Sequence, residues 1–175
     1  MPSIVIKRCL CTIAAVFAVT ASSAADNRPH QQVAVVASLY KAFAWMTLSS
    51  SEHLFGKPLV QQEATVLRRY FDAALTASII EDRRCIEKSA EICNLDFDPI
   101  FATQDPSATD FSIHPKSDGI VAVEFTYPSS RERIRLEYRL VQTEGKWRIA
   151  DIRYPGLSDS SLKQILSRKL PTPEK

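Results

Sequence analysis

The chain has 175 residues, with 22 Lys and Arg against 20 Asp and Glu. Two of the basic residues, Lys7 and Arg8, lie in a predicted leader, so the remainder carries 20 basic and 20 acidic residues. This balance argues against nucleic acid or an anionic membrane surface as the main partner, because binding to either depends on a surplus of basic side chains.

The first 25 residues have the three parts of a secretory signal peptide. Lys7 and Arg8 precede an apolar run over residues 9–19, and small residues follow as far as Ala25. The apolar run is about eleven residues long, whereas a helix that spans a membrane needs roughly twenty. We predict that residues 1–24 are removed and that residues 25–175 form a single domain. This domain is expected to be periplasmic or secreted, without stable insertion into a membrane.

The cysteines indicate a disulfide. Of the four, the first two lie in the predicted leader, which leaves Cys85 and Cys93. In an oxidising compartment an even pair favours a bond. Eight residues of continuous helix would hold two Cα atoms about 12 Å apart, and a disulfide needs roughly 4.4–6.8 Å. A bond therefore requires the helix to break near residues 88–89. The alternative is two unbonded thiols on one continuous helix.

Apolar spacing predicts two helices in the N-terminal half. The first covers residues 31–50, and its buried side consists of Val36, Leu39, Tyr40, Phe43 and Thr47. The second covers residues 62–84, and its buried side consists of Leu67, Phe71, Ala74, Leu75 and Ile79. Arg68 and Asp72 are four residues apart and would pair weakly on the exposed side of this helix. Further along, a short helical turn is expected with Asp98 as its N-cap and Pro99 at its first position.

After Phe111 the apolar residues alternate with polar ones, which is typical of strands. Four strands are predicted, over residues 111–114, 121–127, 134–140 and 146–154. Glu144 and Gly145 favour a tight hairpin, and a change of phase in the last strand predicts a bulge near Ala150 and Asp151. A short closing helix is expected around residues 162–166, with Ser158 or Asp159 as its N-cap. The fold class is therefore α+β, with N-terminal helices packed on a curved antiparallel sheet.

Two segments resemble a known family. They are Asp96-x-Asp98-Pro99-Ile100, followed by Thr103-Gln104-Asp105, and then Gly145-Lys146-Trp147-x-Ile149-x-Asp151-Ile152. The sequence is similar here to a family of exported bacterial proteins known only as a domain of unknown function. That family has an Asp-Pro-Phe…Ala-Gln-Asp segment and a Trp-x-Ile-x-Asp-Ile strand, so this chain departs from it at Ile100 and Thr103. The resemblance implies the cone-shaped, cystatin-like fold of the nuclear-transport-factor-2-like superfamily. It implies no reaction, because that fold carries enzymes, binding proteins and assembly modules.

Asp151 is the one candidate for acid–base chemistry. A carboxylate beside Trp147 on a curved strand could lie in an apolar pocket with a raised pKa and transfer a proton. Enzymes of the superfamily that the resemblance implies pair such an Asp with a tyrosine, for which Tyr40, Tyr138 and Tyr154 are candidates. The alternative is that Asp151 accepts hydrogen bonds at the bulge and holds it in place.

Asp96, Asp98 and Asp105 form an acidic cluster with Gln104. Their oxygens could bind calcium, but the spacing does not fit a calcium loop, and capping or turn formation is the simpler interpretation. Gln104 and Asp105 could also connect this segment to the sheet. We predict no metal and no cofactor: the three histidines are scattered, and no glycine-rich phosphate loop is present. Basic and acidic residues alternate over residues 131–139, which indicates a solvated face rather than a groove for nucleic acid.

Three functions remain open from the sequence. The first is a binding or interaction module whose pocket is lined by Tyr40, Phe43, Trp147 and Asp151, with Asp98, Gln104 and Asp105 as further binding residues. Its partner would be a small ligand or a protein, including a target that it antagonises as an immunity or inhibitor protein. The second is a small enzyme of the isomerase or hydrolase type that uses Asp151. The third is an envelope assembly part in which the sheet forms a dimer face.

Overall fold

The computed structural model of the chain describes residues 27–48, 52–157 and 161–168. The predicted signal peptide, with Cys9 and Cys11, and the predicted caps Ser158 and Asp159 lie outside these ranges. Five α-helices are described: α1 (Arg28–Phe43), α2 (Glu52–Phe55), α3 (Ala64–Leu67), α4 (Ala73–Ser89) and α5 (Leu162–Leu166). Two 3-10 turns, Ala44–Thr47 and Leu59–Gln61, connect the first helices. Among the described residues, no helix is both long and apolar enough to cross a membrane.

The α+β class is confirmed. Four strands, β1 (Thr109–Ser117), β2 (Ile120–Thr126), β3 (Arg133–Thr143) and β4 (Lys146–Arg153), form an antiparallel sheet in the order β1-β2-β3-β4. The predicted hairpin at Glu144 and Gly145 is present, with positive φ at both residues. The predicted bulge is also confirmed: Arg139 pairs with Asp151 and Leu140 with Ile149, so Ala150 is the extra residue.

The prediction of one helix over residues 62–84 was wrong. The helical part is divided into α3 and α4, and residues 70–72 between them run along β4 instead. The amide of Asp72 donates to Ile149 O, and the amide of Ile149 donates to Tyr70 O. Asp72 then caps α4 by accepting a hydrogen bond from the Leu75 amide, so it is not the partner of Arg68. Hydrogen bonding with the edge of β4 therefore overrides the helical spacing at this point. Ala74, predicted on the buried side of the helix, is exposed.

Two smaller predictions also need correction. β1 does not end before Pro115 but passes through it to Ser117, which is possible because β1 pairs only with β2 and proline is tolerated on an edge strand. The closing helix α5 has Ser161 as its N-cap rather than Ser158 or Asp159. Ser161 and Gln164 form a reciprocal capping box, which satisfies two amides at the start of a very short helix.

The core lies between the helices and one face of the sheet. The strands β2, β3 and β4 contribute buried apolar side chains to it, and β1 contributes the half-buried Ile113. Helix α1 contributes Val36, Leu39, Tyr40 and Phe43. Gln32 fixes α1 to the β1–β2 hairpin: its amide nitrogen donates to Asp118, and its oxygen accepts from the Gly119 amide. Gln32 is buried, and its two bonds hold the start of the first helix against this hairpin.

The other face of the sheet, the outer face, carries charged side chains in ion pairs. Glu124 binds Arg133 at 2.6 Å and approaches Arg135 at 3.8 Å. Glu137 pairs with Lys116 and with Arg135. The solvated face predicted from residues 131–139 is therefore present on β3, where Arg133, Arg135 and Glu137 take part in ion pairs.

Candidate functional site

A disulfide closes the segment that follows α4. Cys85 and Cys93 lie at bonding distance, with their Cα atoms 6.1 Å apart. The helix ends at Ser89, and Ala90 takes the left-handed conformation, so the chain reverses direction as the predicted bond requires. Buried Asp82 accepts a hydrogen bond from the Asn94 amide at 2.8 Å. We call residues 90–97 the disulfide loop, because the bond and Asp82 hold it against α4.

Asp98 organises the turn that comes next, residues 98–103, which we call the Asp98 turn. One carboxylate oxygen of Asp98 accepts from the amides of Ile100 and Phe101, each at 2.9 Å. Its own carbonyl accepts from the Ala102 amide at 2.7 Å. Asp98 therefore caps a single turn, as its position before Pro99 predicted.

Three tyrosine hydroxyls donate to the Asp98 turn, and a fourth supports one of them. The Tyr40 hydroxyl donates to Ile100 O at 2.6 Å, and Tyr154 donates to Pro99 O at 3.2 Å. Tyr127 donates to Phe101 O at 2.6 Å and also approaches Ala102 O. The Tyr138 hydroxyl lies 2.7 Å from that of Tyr40. Since the single Tyr40 proton is already committed to Ile100, Tyr138 is the donor of that pair.

Burial keeps these hydroxyls in the donating form. It raises the pKa of Tyr40, Tyr138 and Tyr154 well above the ordinary value of 10.0. The pKa of Tyr127 is raised to about 12, first by burial and then by the charges of Glu132 and Asp98. Hydroxyls from α1 and from the ends of β2 and β4 therefore donate to three successive backbone carbonyls, those of residues 99–101, and the β3 hydroxyl supports the one from α1. The turn is a rigid part of the fold.

An open groove, which we call the main groove, lies beside the disulfide loop and the Asp98 turn. Its volume is about 770 Å³. Apolar side chains form most of its wall, namely Trp45, Met46, Leu48, Pro58, Val60, Ile92, Leu95, Phe97 and Pro106. Leu48 is 77% exposed and Ile92 is 68% exposed, so large apolar side chains on this rim remain in water. Exposed apolar surface of this kind is typical of binding sites.

Carboxylates supply the charge of the main groove. Asp96, Asp98 and Asp105 line it together with Gln61, Gln104 and Thr47. None of the described residues that line the groove is a lysine or an arginine. Burial raises the pKa of Asp98 from 3.8 to about 6, and the hydrogen bonds from Ile100 and Phe101 oppose this rise. The groove is therefore apolar with a concentration of negative charge at neutral pH.

A second depression, the side groove, adjoins the first. Its volume is about 460 Å³, and it shares Val60, Gln61, Leu95 and Phe97 with the main groove. It extends along α4 to Ile86 and contains charges of both signs, Lys57 and Arg83 together with Glu63, Asp82 and Glu87. The two grooves thus form one elongated surface feature with a more acidic end and a mixed end.

The structure brings only some of the sequence-predicted site residues together. Asp98, Gln104 and Asp105 line the main groove, whereas the four residues predicted to form the pocket wall do not. Tyr40 and Phe43 are buried in the core, where Phe43 packs edge-on against Tyr70. Trp147 is half-buried on β4. In the described part of the chain its ring nitrogen has no hydrogen-bond partner.

Asp151 has a structural role at the end of β4. One of its carboxylate oxygens accepts from the Ile152 amide at 2.9 Å and from the Lys163 amide at 3.0 Å. The second bond connects the bulged strand to the first turn of α5. Asp151 therefore makes the backbone contacts expected if it holds the bulge in place.

Sequence reasoning missed most of the apolar wall. Ile92, Leu95 and Phe97 lie in a segment without helical or strand periodicity, and this irregularity was the available signal. Because these apolar side chains belong to no predicted helix or strand, the sequence does not assign them to the core, and they are candidates for an exposed surface.

Within the described ranges, no three His, Cys, Asp or Glu side chains are grouped so that they could hold a metal ion. No hydrogen bond within those ranges connects Gln104 or Asp105 to the sheet.

Comparisons with protein-family models, with curated proteins and with solved structures found no match to this chain.

Proposed function

We propose that this protein is an exported binding module that receives its ligand in the main groove. The observation that carries the proposal is the combination of exposed apolar side chains at Leu48 and Ile92 with a groove of about 770 Å³. Burying exposed apolar surface stabilises a complex by roughly 25 cal/mol per Å², so these side chains favour an occupant. Two rigid supports, the disulfide and the tyrosine hydroxyls, reduce the ordering cost of binding.

Export is part of this proposal. The predicted signal peptide provides its sequence argument, and the Cys85–Cys93 pair at bonding distance is compatible with an oxidising compartment. The cystatin-like cone and the family of unknown function remain the proposed relationship. The helices and the antiparallel meander are compatible with them.

No observation favours the enzymatic alternative to the same degree. Asp151 would need to face a pocket, and its carboxylate accepts two backbone hydrogen bonds. The proposal of a sheet-mediated dimer has less support than the groove, because the outer face already pairs Glu124 and Glu137 with basic side chains.

The experiment that tests the proposed function is a fragment screen observed by ¹H–¹⁵N NMR. Neutral aromatic and aliphatic fragments should shift the amide signals of residues 45–48 and 92–98. The variant Ile92→Ser should weaken this response, while Leu54→Ser should not. Leu54 is 65% exposed on α2, close to the exposure of Ile92, and it lines neither groove. Shifts that fall elsewhere, or that both variants affect equally, would contradict the proposal.

A further inference from the structure

The negative charge of the main groove has no basic side chain beside it on the described groove wall. The carboxylates of Asp96 and Asp105 take part in no ion pair within the described residues, and Asp98 uses one oxygen for the turn while the other accepts no hydrogen bond there. On the outer face, by contrast, Glu124 and Glu137 each have basic partners. Three carboxylates line an apolar groove whose described wall residues include no lysine or arginine, and such a wall is complementary to a cation.

The shape of the surface indicates what carries that cation. The main groove and the side groove share Val60, Gln61, Leu95 and Phe97, so a ligand can extend from one into the other. Leu48 and Ile92 lie at its rim and remain largely exposed. A small cation inside the groove would leave these two side chains in water. An extended peptide chain would cover them, because its alternate side chains can enter successive pockets.

We propose that the main groove binds an extended segment of a partner protein in which a lysine or arginine is flanked by large apolar side chains. This inference rests on the proposed binding function and names the chemistry of the ligand. The cation faces the part of the groove wall that carries Asp96, Asp98 and Asp105, and the apolar neighbours cover Leu48 and Ile92. The disulfide loop provides one wall of the site, and the Asp98 turn provides its acidic end.

The test uses blocked hexapeptides with a fluorescent label, in which one central residue is flanked by leucine and phenylalanine. Three peptides differ only at the centre, which is lysine, glutamine or glutamate. Fluorescence anisotropy with the disulfide-bonded protein should show the lysine peptide binding roughly tenfold more tightly than the glutamine peptide, and the glutamate peptide binding least. The apolar primary amine 4-phenylbutylamine represents a small cationic ligand, and its affinity is measured by competition with the labelled lysine peptide.

Matched variants assign the preference to the groove. The double variant Asp96→Asn and Asp105→Asn should weaken the lysine peptide roughly tenfold and leave the glutamine peptide unchanged. Glu132→Gln removes an exposed carboxylate of the β2–β3 turn, which lines neither groove, and should change neither affinity. Asp98 is left intact because it caps the turn.

Each result distinguishes this inference from the broader function. Equal binding of the lysine and glutamine peptides at the groove would overturn the cationic ligand while the binding function stands. If the affinity of 4-phenylbutylamine equals that of the lysine peptide, the ligand is a small cation and the proposal of a peptide segment is wrong. If no peptide binds at millimolar concentration, this inference fails, and the fragment screen separately decides the proposed function.

Discussion

The outer face of the sheet and the main groove differ in how their charged side chains are paired. On the outer face Glu124 pairs with Arg133 on the neighbouring strand, and Glu137 pairs with Lys116 two strands away. In the groove the carboxylates of Asp96 and Asp105 have none within the described residues, and apolar side chains beside them are exposed. A surface whose charged groups are paired within the protein is stable in contact with water. A surface with unpaired charge and exposed apolar area is stabilised further when a partner binds and covers it.

The largest expected effect comes from removing the disulfide that supports the groove. In the double variant Cys85→Ser and Cys93→Ser, the free energy of unfolding should fall by about 2.5 kcal/mol, from the entropy of closing so short a loop. The NMR signals of the disulfide loop should broaden, while those of β2 and β3 should not shift. Urea unfolding measures the first effect. The wild-type protein after reduction is the control and should behave as the variant does; full stability after reduction would contradict this role.

The next effect concerns the tyrosine hydroxyls behind the Asp98 turn. Tyr40→Phe should lower the free energy of unfolding by about 2 kcal/mol, because Ile100 O and the Tyr138 hydroxyl are left without their buried partner. Tyr127→Phe is the matched control. Tyr127 is only half-buried, so water can replace its hydroxyl and the loss should be about 1 kcal/mol or less. Urea unfolding of both variants compares them, and equal losses would show that burial of the hydroxyl is not the determining factor.

Asp98 makes the free energy of unfolding depend on pH. Its pKa rises from 3.8 to about 6 on folding, so between about pH 4 and pH 6 the folded chain binds a proton that the unfolded chain does not. Protonation therefore stabilises the fold as the pH falls through 6, and ionisation destabilises it above 6. We expect about 1–2 kcal/mol for this difference, less than the full shift implies because Asp98 lines an open groove.

Comparison with Asp98→Asn isolates the effect. An asparagine keeps the side-chain oxygen that caps the turn and cannot titrate, so the pH-dependent contribution should disappear. The measurement is the free energy of unfolding of both proteins from pH 4 to pH 7. The wild-type protein should gain stability relative to the variant as the pH falls. A constant difference over this range would show that Asp98 titrates normally.

The fold could be read from the sequence where the pattern depends on local periodicity. Alternation predicted the four-stranded sheet, and the phase change near Ala150 predicted its bulge, because a strand with one buried face permits only one register. The prediction of the second helix was wrong because the backbone there depends on contacts with a distant strand and not on local periodicity. The spacing of Leu67, Phe71 and Leu75 suits a helix, but hydrogen bonds between Tyr70–Asp72 and β4 determine the backbone there, and no local pattern records them.

The candidate site was harder to predict, because its wall comes from distant parts of the chain. Asp98, Gln104 and Asp105 were found because they are neighbours in sequence. Trp45 and Ile92 meet them only after α4 and the disulfide loop fold back. Tyr40 was selected as a binding residue for its chemistry, yet its hydroxyl supports the turn from inside the core. Its place on the apolar side of the first helix already indicated burial.

The smallest expected effect belongs to the outer face and completes the comparison. Glu124→Gln should change the free energy of unfolding by no more than about 0.5 kcal/mol, because the arginines that it contacts are exposed and such pairs are weak in water. Arg133 lowers the pKa of Glu124, so any contribution is present at neutral pH and is lost as the pH falls. The difference should also shrink in high salt. A loss as large as that in Tyr40→Phe, independent of salt, would show that the outer face is a structural element as important as the groove support.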